Sequence, residues 1–550
     1  MKKIVTIITL LIAVQCLHAQ NPLVKKWDYR YGGMELDFIT CFQETRDGGF
    51  VLGGYSASDM GGDKSQNAFG GFDYWVVKID SAGIKEWDAN FGALYNERLL
   101  ALEQTADGGY ILCGSSNSDD DGDKTEPNRD TINYSHDYWI VKIDSMGNKL
   151  WDKLYGGIDN DFLFSMQETS DHGFILGGSS YSRNSGDKSQ DNRDTINFTN
   201  DYWIVKTDSM GVIEWEKTYG GPDDDQLTSV KQTKDGGYII AGASVSDMGG
   251  DKTQSSKGNY DFWVIKTDAV GNILWDKDLG ADALDIMYSL AITTDGGYIL
   301  GGTSKSNQNG DKSQSNWDIS GVTQDFWVVK IDSMGAKQWD KTYGGFKDEF
   351  QFGNITQTTD NGFLMSGISY SDISGNKTEN NLGVEQSWVI KTDNGGTILW
   401  DKTLLTGAED ECGYALETKS GCYVMMNSCP AGIGGYKSQN FQGLEDYWIV
   451  KFCDSTVSPE GIYNISSSNL VSIYPNPFTD KVKIEILEAN KSDLAIILYD
   501  ALGHIVYSSH ENRYNVPFSK TIDLKSLSKG VYSLIVSIDG ERRIAKLVKE

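Results

Sequence analysis

The chain is poor in proline (8 of 550 residues), in histidine (5) and in positive charge, with 49 Lys and Arg against 78 Asp and Glu. The resulting net charge of −29 argues against nucleic acid and anionic membranes as partners, since both are held through Lys and Arg. No Gly-x-Ser-x-Gly elbow and no phosphate-binding loop occurs, which leaves acyl transfer and nucleotide chemistry without their usual framework. No Cys-x-x-Cys pair occurs, so zinc-site spacing is missing. Past the N-terminus no apolar run approaches the length of a membrane span, and long helical periodicity is absent. What the chain has instead is glycine (61) and tryptophan (15). That is the profile of a turn-rich, aromatic-packed β protein.

The N-terminus reads as a secretory signal over residues 1–19. Lys2 and Lys3 precede an apolar run from Ile4 to Val14, and Leu17-His18-Ala19 forms a cleavage site. Gln15 disfavours the alternative of lipidation at Cys16. Cleavage takes the net charge from −29 to −31 by removing two lysines. An acidic surface of this kind serves solubility, and leaves room for cations or basic partners. It leaves Cys41, Cys113, Cys412, Cys422, Cys429 and Cys453. Export permits disulfides, but the sequence does not choose among the pairings.

A long repeat fills most of the remainder. A Trp-Asp or Trp-Glu mark falls at Trp27, Trp87, Trp151, Trp215, Trp275, Trp339 and Trp400. A second tryptophan, after Tyr, Phe or Ser, falls at Trp75, Trp139, Trp203, Trp263, Trp327, Trp388 and Trp448. The step from second tryptophan to next mark is always 12 residues, whereas the step from the Asp of Asp-Gly-Gly to the second tryptophan is 28 in some copies and 32 in others. The variable segment is a surface loop and the invariant step a rigid hairpin. Each copy reads as four short strands, with tight turns at Asp-Gly-Gly and Asp-Ser-x-Gly. Four antiparallel strands repeated seven times predict a seven-bladed β-propeller over residues 22–454, with a β-solenoid as runner-up. The repeats begin on the strand after the Asp-Ser-x-Gly turn and end on the strand before it. The segment around Trp27 is therefore expected to pair with the segment around Trp448 and close the ring.

After a Ser-rich linker (455–470), residues 471–550 predict a small β-sandwich from alternating strands. They carry Tyr474-Pro475-Asn476-Pro477, Gly503 after a middle strand, Gly530-Val531-Tyr532, and a basic end with Lys546 and Lys549. This ordered set resembles the type A C-terminal sorting domain of cargo of the Bacteroidota type IX secretion system. The resemblance implies recognition by that machinery, passage across the outer membrane, removal of the domain, and release or attachment to surface lipopolysaccharide. The repeats resemble propeller repeats found in such cargo, which carries no settled activity.

Several groups invite a site. Ser-x-Ser-Asp-x-x-Gly-Asp-Lys recurs, and its lysine holds in all seven copies: Lys64, Lys124, Lys188, Lys252, Lys312, Lys377 and Lys437. What every copy shares reads as scaffold. The Asp is expected to cap its turn, and the Lys to pair with the Asp before the aromatic pair, such as Asp73 or Asp137. Asp119, Asp121, Asp123 and Asp130 offer oxygens for calcium, but Lys124 stands where a calcium loop of the EF-hand type needs glycine, and a solvated acidic loop is the plainer reading. The tryptophans are assigned to packing between sheets. The long loops of copies two, three and five break the symmetry with Arg129-Asp130, Arg193-Asp194 and Trp317-Asp318, and are expected to meet a glycan or protein ligand. His136 and His172 are the only ring histidines, and no catalytic set stands out. The sequence thus predicts an exported binding, adhesion or interaction module. A carbohydrate-active enzyme using Asp or Glu on the rim is the alternative.

Overall fold

The computed structural model describes residues 23–130, 132–194, 198–454, 471–474, 478–486, 494–499, 505–511, 518–538 and 541–549. The leader (1–19), the linker (455–470), Pro475, Asn476, Pro477 and Gly503 lie outside the described residues. The side chains of Cys412, Tyr474 and Lys546 are likewise not described. The chain divides into two compact units, 1–454 and 455–550.

Residues 23–454 fold into seven four-stranded antiparallel sheets. Sheet 1 runs Asp37–Glu44, Phe50–Ser56, Asp73–Ile79, Lys85–Phe91, and sheet 2 runs Glu97–Gln104, Tyr110–Ser116, Asp137–Ile143, Lys149–Tyr155. Sheets 3 to 6 begin at Asp161, Asp225, Asp285 and Glu349. Each sheet packs on its neighbours in sequence, and the seventh packs on the first. This is a closed β-propeller, with the first strand of every sheet lining an axial channel.

Sheet 7 is composite. Its inner strands are Glu411–Glu417, Cys422–Cys429 and Asp446–Asp454, and its fourth is the N-terminal strand Leu23–Tyr31. Trp27 sits opposite Lys451 and Arg30 opposite Trp448, as the mismatched ends of the repeat predict. Among the described residues, in this sheet alone a disulfide, Cys422–Cys453, joins the second strand to the third, one of the pairings the sequence left open. The two cysteines are direct cross-strand partners. They lie one residue beyond Tyr423 and Phe452, which hold the place that Phe50 and Ile79 hold in sheet 1. Cys41, Cys113 and Cys429 are free.

The repeated residues explain how one sheet holds the next. The second and third strands are buried along their length because both faces meet another sheet. In Tyr74-Trp75 and its equivalents both rings are fully buried, one on each face. Tyr74 reaches into sheet 2, where its ring lies 4.8 Å from that of Trp139 and its hydroxyl donates to the Trp139 carbonyl at 3.0 Å. The same contact recurs as Tyr138–Trp203, Tyr202–Trp263 and, across the closure, Tyr447–Trp75. The crossing tyrosine passes over a glycine: a Cβ at Gly114 would stand 2.7 Å from the Tyr74 hydroxyl and 1.9 Å from the Arg98 carbonyl. Farther out, the tryptophan of the Trp-Asp mark packs on the aromatic that starts the second strand of the next sheet. Examples are Trp87–Tyr110 and Trp151–Phe174, and Trp27–Phe50 makes the contact at the closure. Ser387 replaces the crossing aromatic between sheets 6 and 7, where Asn427 donates to its hydroxyl at 3.0 Å.

The second unit is a β-sandwich. A three-stranded sheet (Val471–Tyr474, Lys481–Ile486, Phe518–Asp523) and a four-stranded one (Ile505–Glu511, Leu494–Tyr499, Gly530–Ile538, Glu541–Lys549) share a core that includes Ile484, Leu494, Ile496, Leu534 and Val536. Tyr532 donates to the Ser528 carbonyl at 2.7 Å, and the buried Lys549 ammonium donates to the Leu524 carbonyl at 2.6 Å beside Phe478.

Removing the disulfide by Cys422→Ser with Cys453→Ser is expected to cost roughly 3–4 kcal/mol, the chain-entropy value for a loop of about thirty residues. Denaturant unfolding of the two forms measures this. Trp203→Ala, which empties a buried indole site, is expected to cost about 3–5 kcal/mol in the same assay.

Candidate functional site

Because strands alternate in direction, the loops from second to third strand and those from one sheet to the next share one rim. The short Asp-Gly-Gly and Asp-Ser-x-Gly turns share the other. All predicted ligand residues therefore lie on the first rim, and the structure shows what they hold.

The carboxylate of the Trp-Asp mark accepts two bonds in every sheet. One comes from the buried indole N–H of the third strand, at 2.9–3.2 Å in Trp75–Asp88, Trp139–Asp152, Trp203–Glu216, Trp263–Asp276, Trp327–Asp340, Trp388–Asp401 and Trp448–Asp28. The other comes from the backbone N–H just after the invariant lysine, as in Ser65–Asp88 at 2.8 Å and Ser438–Asp28 at 2.7 Å. Burial pulls the Asp152 carboxyl upward, but Lys149, Trp139 and the Thr125 N–H outweigh it and hold the group below its ordinary range.

The invariant lysines are buried. They do not form the expected ion pair with the Asp before the aromatic pair. The Lys64 ammonium donates to Ser56 Oγ at 2.9 Å, Lys124 to Ser116 Oγ at 3.0 Å, and Lys252 pairs with Asp278 at 2.8 Å. The reason is that both neighbouring acids spend an oxygen on loop backbone. The acid opening the first strand accepts the N–H four residues earlier, as in Gly33–Asp37 and Gly157–Asp161, both 2.7 Å. The acid opening the third strand accepts the N–H four residues earlier in short copies (Phe69–Asp73, 2.7 Å) and eight earlier in long ones (Arg129–Asp137, 2.9 Å; Arg193–Asp201, 2.7 Å; Trp317–Asp325, 2.8 Å). The four-residue difference in loop length thus falls inside this bond.

The Asp before the lysine likewise does not cap its own turn. Asp63 accepts from Gly32 N–H at 3.3 Å while its own N–H donates to the Gly32 carbonyl at 2.9 Å, so it ties two loops together. Onto this tie fall the symmetry-breaking residues. Arg129 Nε donates to Asp187 Oδ2 at 2.8 Å, Arg193 Nε to Asp251 Oδ2 at 2.8 Å, and Trp317 Nε1 to Asn376 Oδ1 at 2.9 Å, each reaching the next sheet. Asp130 accepts from the N–H groups of Ile132 and Asn133, Asp194 from Thr199 Oγ1, and Asp318 from Ser320. Asp121 accepts from Leu94 N–H at 2.9 Å and Asp123 from Gly92 N–H at 3.2 Å. Asp119 keeps a buried oxygen without a partner. Among the described residues no three His, Cys, Asp or Glu side chains converge. The structure thus gathers the two arginines and the tryptophan into inter-sheet ties, and gives Asp121, Asp123 and Asp130 of one loop separate backbone partners.

Sequence reasoning passed over the buried acids as a set. Along the rim, acids of the third strand face those opening the next sheet, with a lysine on either side. Burial first, and then the neighbouring Asp161 carboxyl, push Asp137 up to about 8. Burial also raises Asp201, Asp225 and Asp410 to about 7 and Asp161 and Asp446 to about 6. It draws Lys188, Lys312 and Lys377 down to about 8. The signal available in sequence was the recurrence of acid at both strand starts, which no alternation rule requires.

Residues 472–550 match the family model described as the secretion system C-terminal sorting domain. The chain is therefore a secretion-sorted β-propeller protein, exported to the cell surface or beyond. Regulatory protein FlaEY of Caulobacter vibrioides (strain ATCC 19089 / CIP 103742 / CB 15) is 26% identical over 303 residues, covering 53% of this chain and 29% of that protein. The chain thus spans less than a third of that curated relative. The WD40 domain of Neurospora crassa Pan2 (TM-score 0.42, 10% identity, 79% of this chain and 97% of that one) and Sqt1 from Chaetomium thermophilum (TM-score 0.38, 10% identity, 78% and 99%) are similar solved structures. Among the described residues no helix is long and apolar enough to cross a membrane.

A pH dependence follows. A carboxyl whose folded pKa is raised gives stability that is complete below pH ~4 and lost as pH rises through about 6 to 8. Lysines lowered to about 8 give stability that is lost as pH falls through 8, and they stay charged below it. Carboxylates held low, such as Asp107 and Asp171 at about 2, lose theirs only in strong acid. The melting temperature is therefore expected to fall steadily from pH 5 to pH 7.5, and Asp137→Asn to flatten that slope. Thermal melts across the range check both.

Proposed function

We propose that this exported propeller is an interaction module whose contact surface is the long-loop rim. The observation that carries the reading is the exposed apolar residues at the loop tips. Met34, Met60, Leu94, Met248, Phe346 and Ile373 are each more than half exposed. Met34 with Met60, and Phe346 with Ile373, come in pairs because the ties described above bring two loops together. Glu35 N–H donates to Ser58 Oγ beside Met34 and Met60, and Phe346 N–H to Ser374 Oγ beside Ile373. Ile132, Phe198, Ile319 and Val322 add further apolar tips on the long loops. Exposed acids, Glu35, Asp59, Asp120, Asp247 and Asp372, stand among them. Apolar patches with a charged surround mark contact surfaces. The chemistry complementary to this rim is a protein surface with apolar residues flanked by Lys and Arg.

The polar residues of the same rim support binding more than catalysis, since one carboxylate oxygen of each tie is committed to loop backbone or to a neighbouring loop. Attachment to surface lipopolysaccharide after processing and a cation in the Asp119–Asp130 loop belong to the same reading as accessory features. An exported adhesion or interaction role places the apolar rim where a partner meets it.

A photo-crosslinking residue placed at Met60 or Met248 in the exporting cell is expected to give discrete protein adducts, weakened by added salt. The same residue at Met146 or Met334, on the opposite rim, is expected to give none. Adducts from the opposite rim alone, or glycan-array binding of the mature ring without protein adducts, would overturn the assignment.

A further inference from the structure

The axial channel is a cavity of about 490 Å³, within the range of small-molecule sites. The first strands of all seven sheets line it. Polar side chains on these strands staple one sheet to the next. Ser165 Oγ accepts from Val230 N–H at 3.0 Å, Ser289 Oγ from Ile355 N–H at 3.1 Å, and Asn354 Oδ1 from Ala415 N–H at 2.9 Å. Two positions farther along, Gln43 Oε1 accepts from Gln104 N–H at 2.7 Å, Glu103 Oε2 from Glu168 N–H at 2.9 Å, and Gln167 Oε1 from Gln232 N–H at 2.7 Å.

On the first strand of sheet 4 both series break. Ser229 stands where Ser165 and Ser289 stand, and Lys231 where Gln43, Glu103 and Gln167 stand. Neither side chain makes a hydrogen bond among the described residues, and Lys231 makes no ion pair there. An ammonium has no lone pair with which to accept the N–H that its counterparts accept. Strand alternation puts Ser229 and Lys231 on one face. On the neighbouring first strand, the bond from Gln232 occupies Gln167 Oε1 and leaves Nε2 without a partner among the described residues. Gln167, Ser229 and Lys231 all line the cavity, and none of these three polar atoms is fully buried. Lys231 is the one charged residue of the described lining. Glu103 acts on it from two sheets away without closing an ion pair.

We propose that the channel binds a small hydroxylated monocarboxylate, its carboxylate held by Lys231, Ser229 and Gln167. Three donors and one positive charge match one carboxylate group. The nearby Glu103 carboxylate disfavours a second negative charge on the ligand. The hydroxyls of Ser289 and Thr356, on the next two sheets, line the same cavity and suit a ligand that carries hydroxyls. The site is independent of the rim reading, because it uses other residues and another class of ligand.

Calorimetric titration of the full chain with gluconate tests this. Saturable binding near one equivalent is expected, with sorbitol, hexanoate and inorganic phosphate each binding at least tenfold more weakly. Lys231→Met is expected to weaken gluconate at least tenfold and Lys231→Arg less than fivefold. Lys234→Met, at an exposed lysine of the adjoining turn, is expected to change it less than twofold. In the unaltered protein, gluconate is expected to slow trinitrophenylation of Lys231 at least fivefold and to leave that of Lys234 unchanged. Absence of saturable gluconate binding, equal binding of sorbitol or hexanoate, tighter binding of phosphate, or undiminished binding in a folded Lys231→Met protein would each overturn the proposal. So would an equal loss with Lys234→Met, or labelling of Lys231 at one rate with and without gluconate.

Discussion

The ring depends on the buried tryptophan of each third strand. Its indole ring lies against the crossing residue of the preceding sheet, and its N–H is bonded to the acid of the fourth strand of its own sheet. One side chain thus fixes the spacing between sheets and the register within one. An indole N–H buried without an acceptor would carry the desolvation cost of an unpaired donor, so the acid of the Trp-Asp mark is bound to the tryptophan 13 residues before it. The glycine of the next sheet follows from the same geometry, since the tyrosine can cross only where no Cβ stands. Where the crossing ring is absent, between sheets 6 and 7, Ser387 and Asn427 make a polar contact, and the adjoining sheet is the one fastened by a disulfide.

The long-loop rim obeys a second constraint. Loops carry backbone groups that must be satisfied, and here acids and lysines from the strand ends satisfy them. The consequence is a belt of buried titratable groups that resembles an active site in composition and acts as scaffold. Perturbed carboxyls often mark catalytic centres. In this ring the perturbation recurs from sheet to sheet with the same backbone partners, which is the signature of construction. Regions free of that duty are the loop tips and part of the channel, and both differ from sheet to sheet.

Much of this was legible beforehand. The fixed 12-residue step gave the outer hairpin, and the mismatched ends of the repeat gave the pairing of Trp27 with the strand of Trp448. The tryptophans were readable as packing residues because strand alternation places neighbours on opposite faces. The sorting unit was legible from its ordered motifs. The roles of Arg129, Arg193 and Trp317 were not, because their partners lie 58, 58 and 59 residues away, in the next sheet.

By itself the sequence determined the all-β class, the seven-fold repetition, the closure by the N-terminal strand, and export. These follow from local periodicity and from the register of a repeat, both written along one dimension. Only the tertiary structure decided which acids meet a lysine, which cysteines pair, and where polar groups are already spent. Those questions turn on distances between sheets, and a closed ring brings together residues from its two ends, such as Asp28 and Trp448, as readily as neighbours.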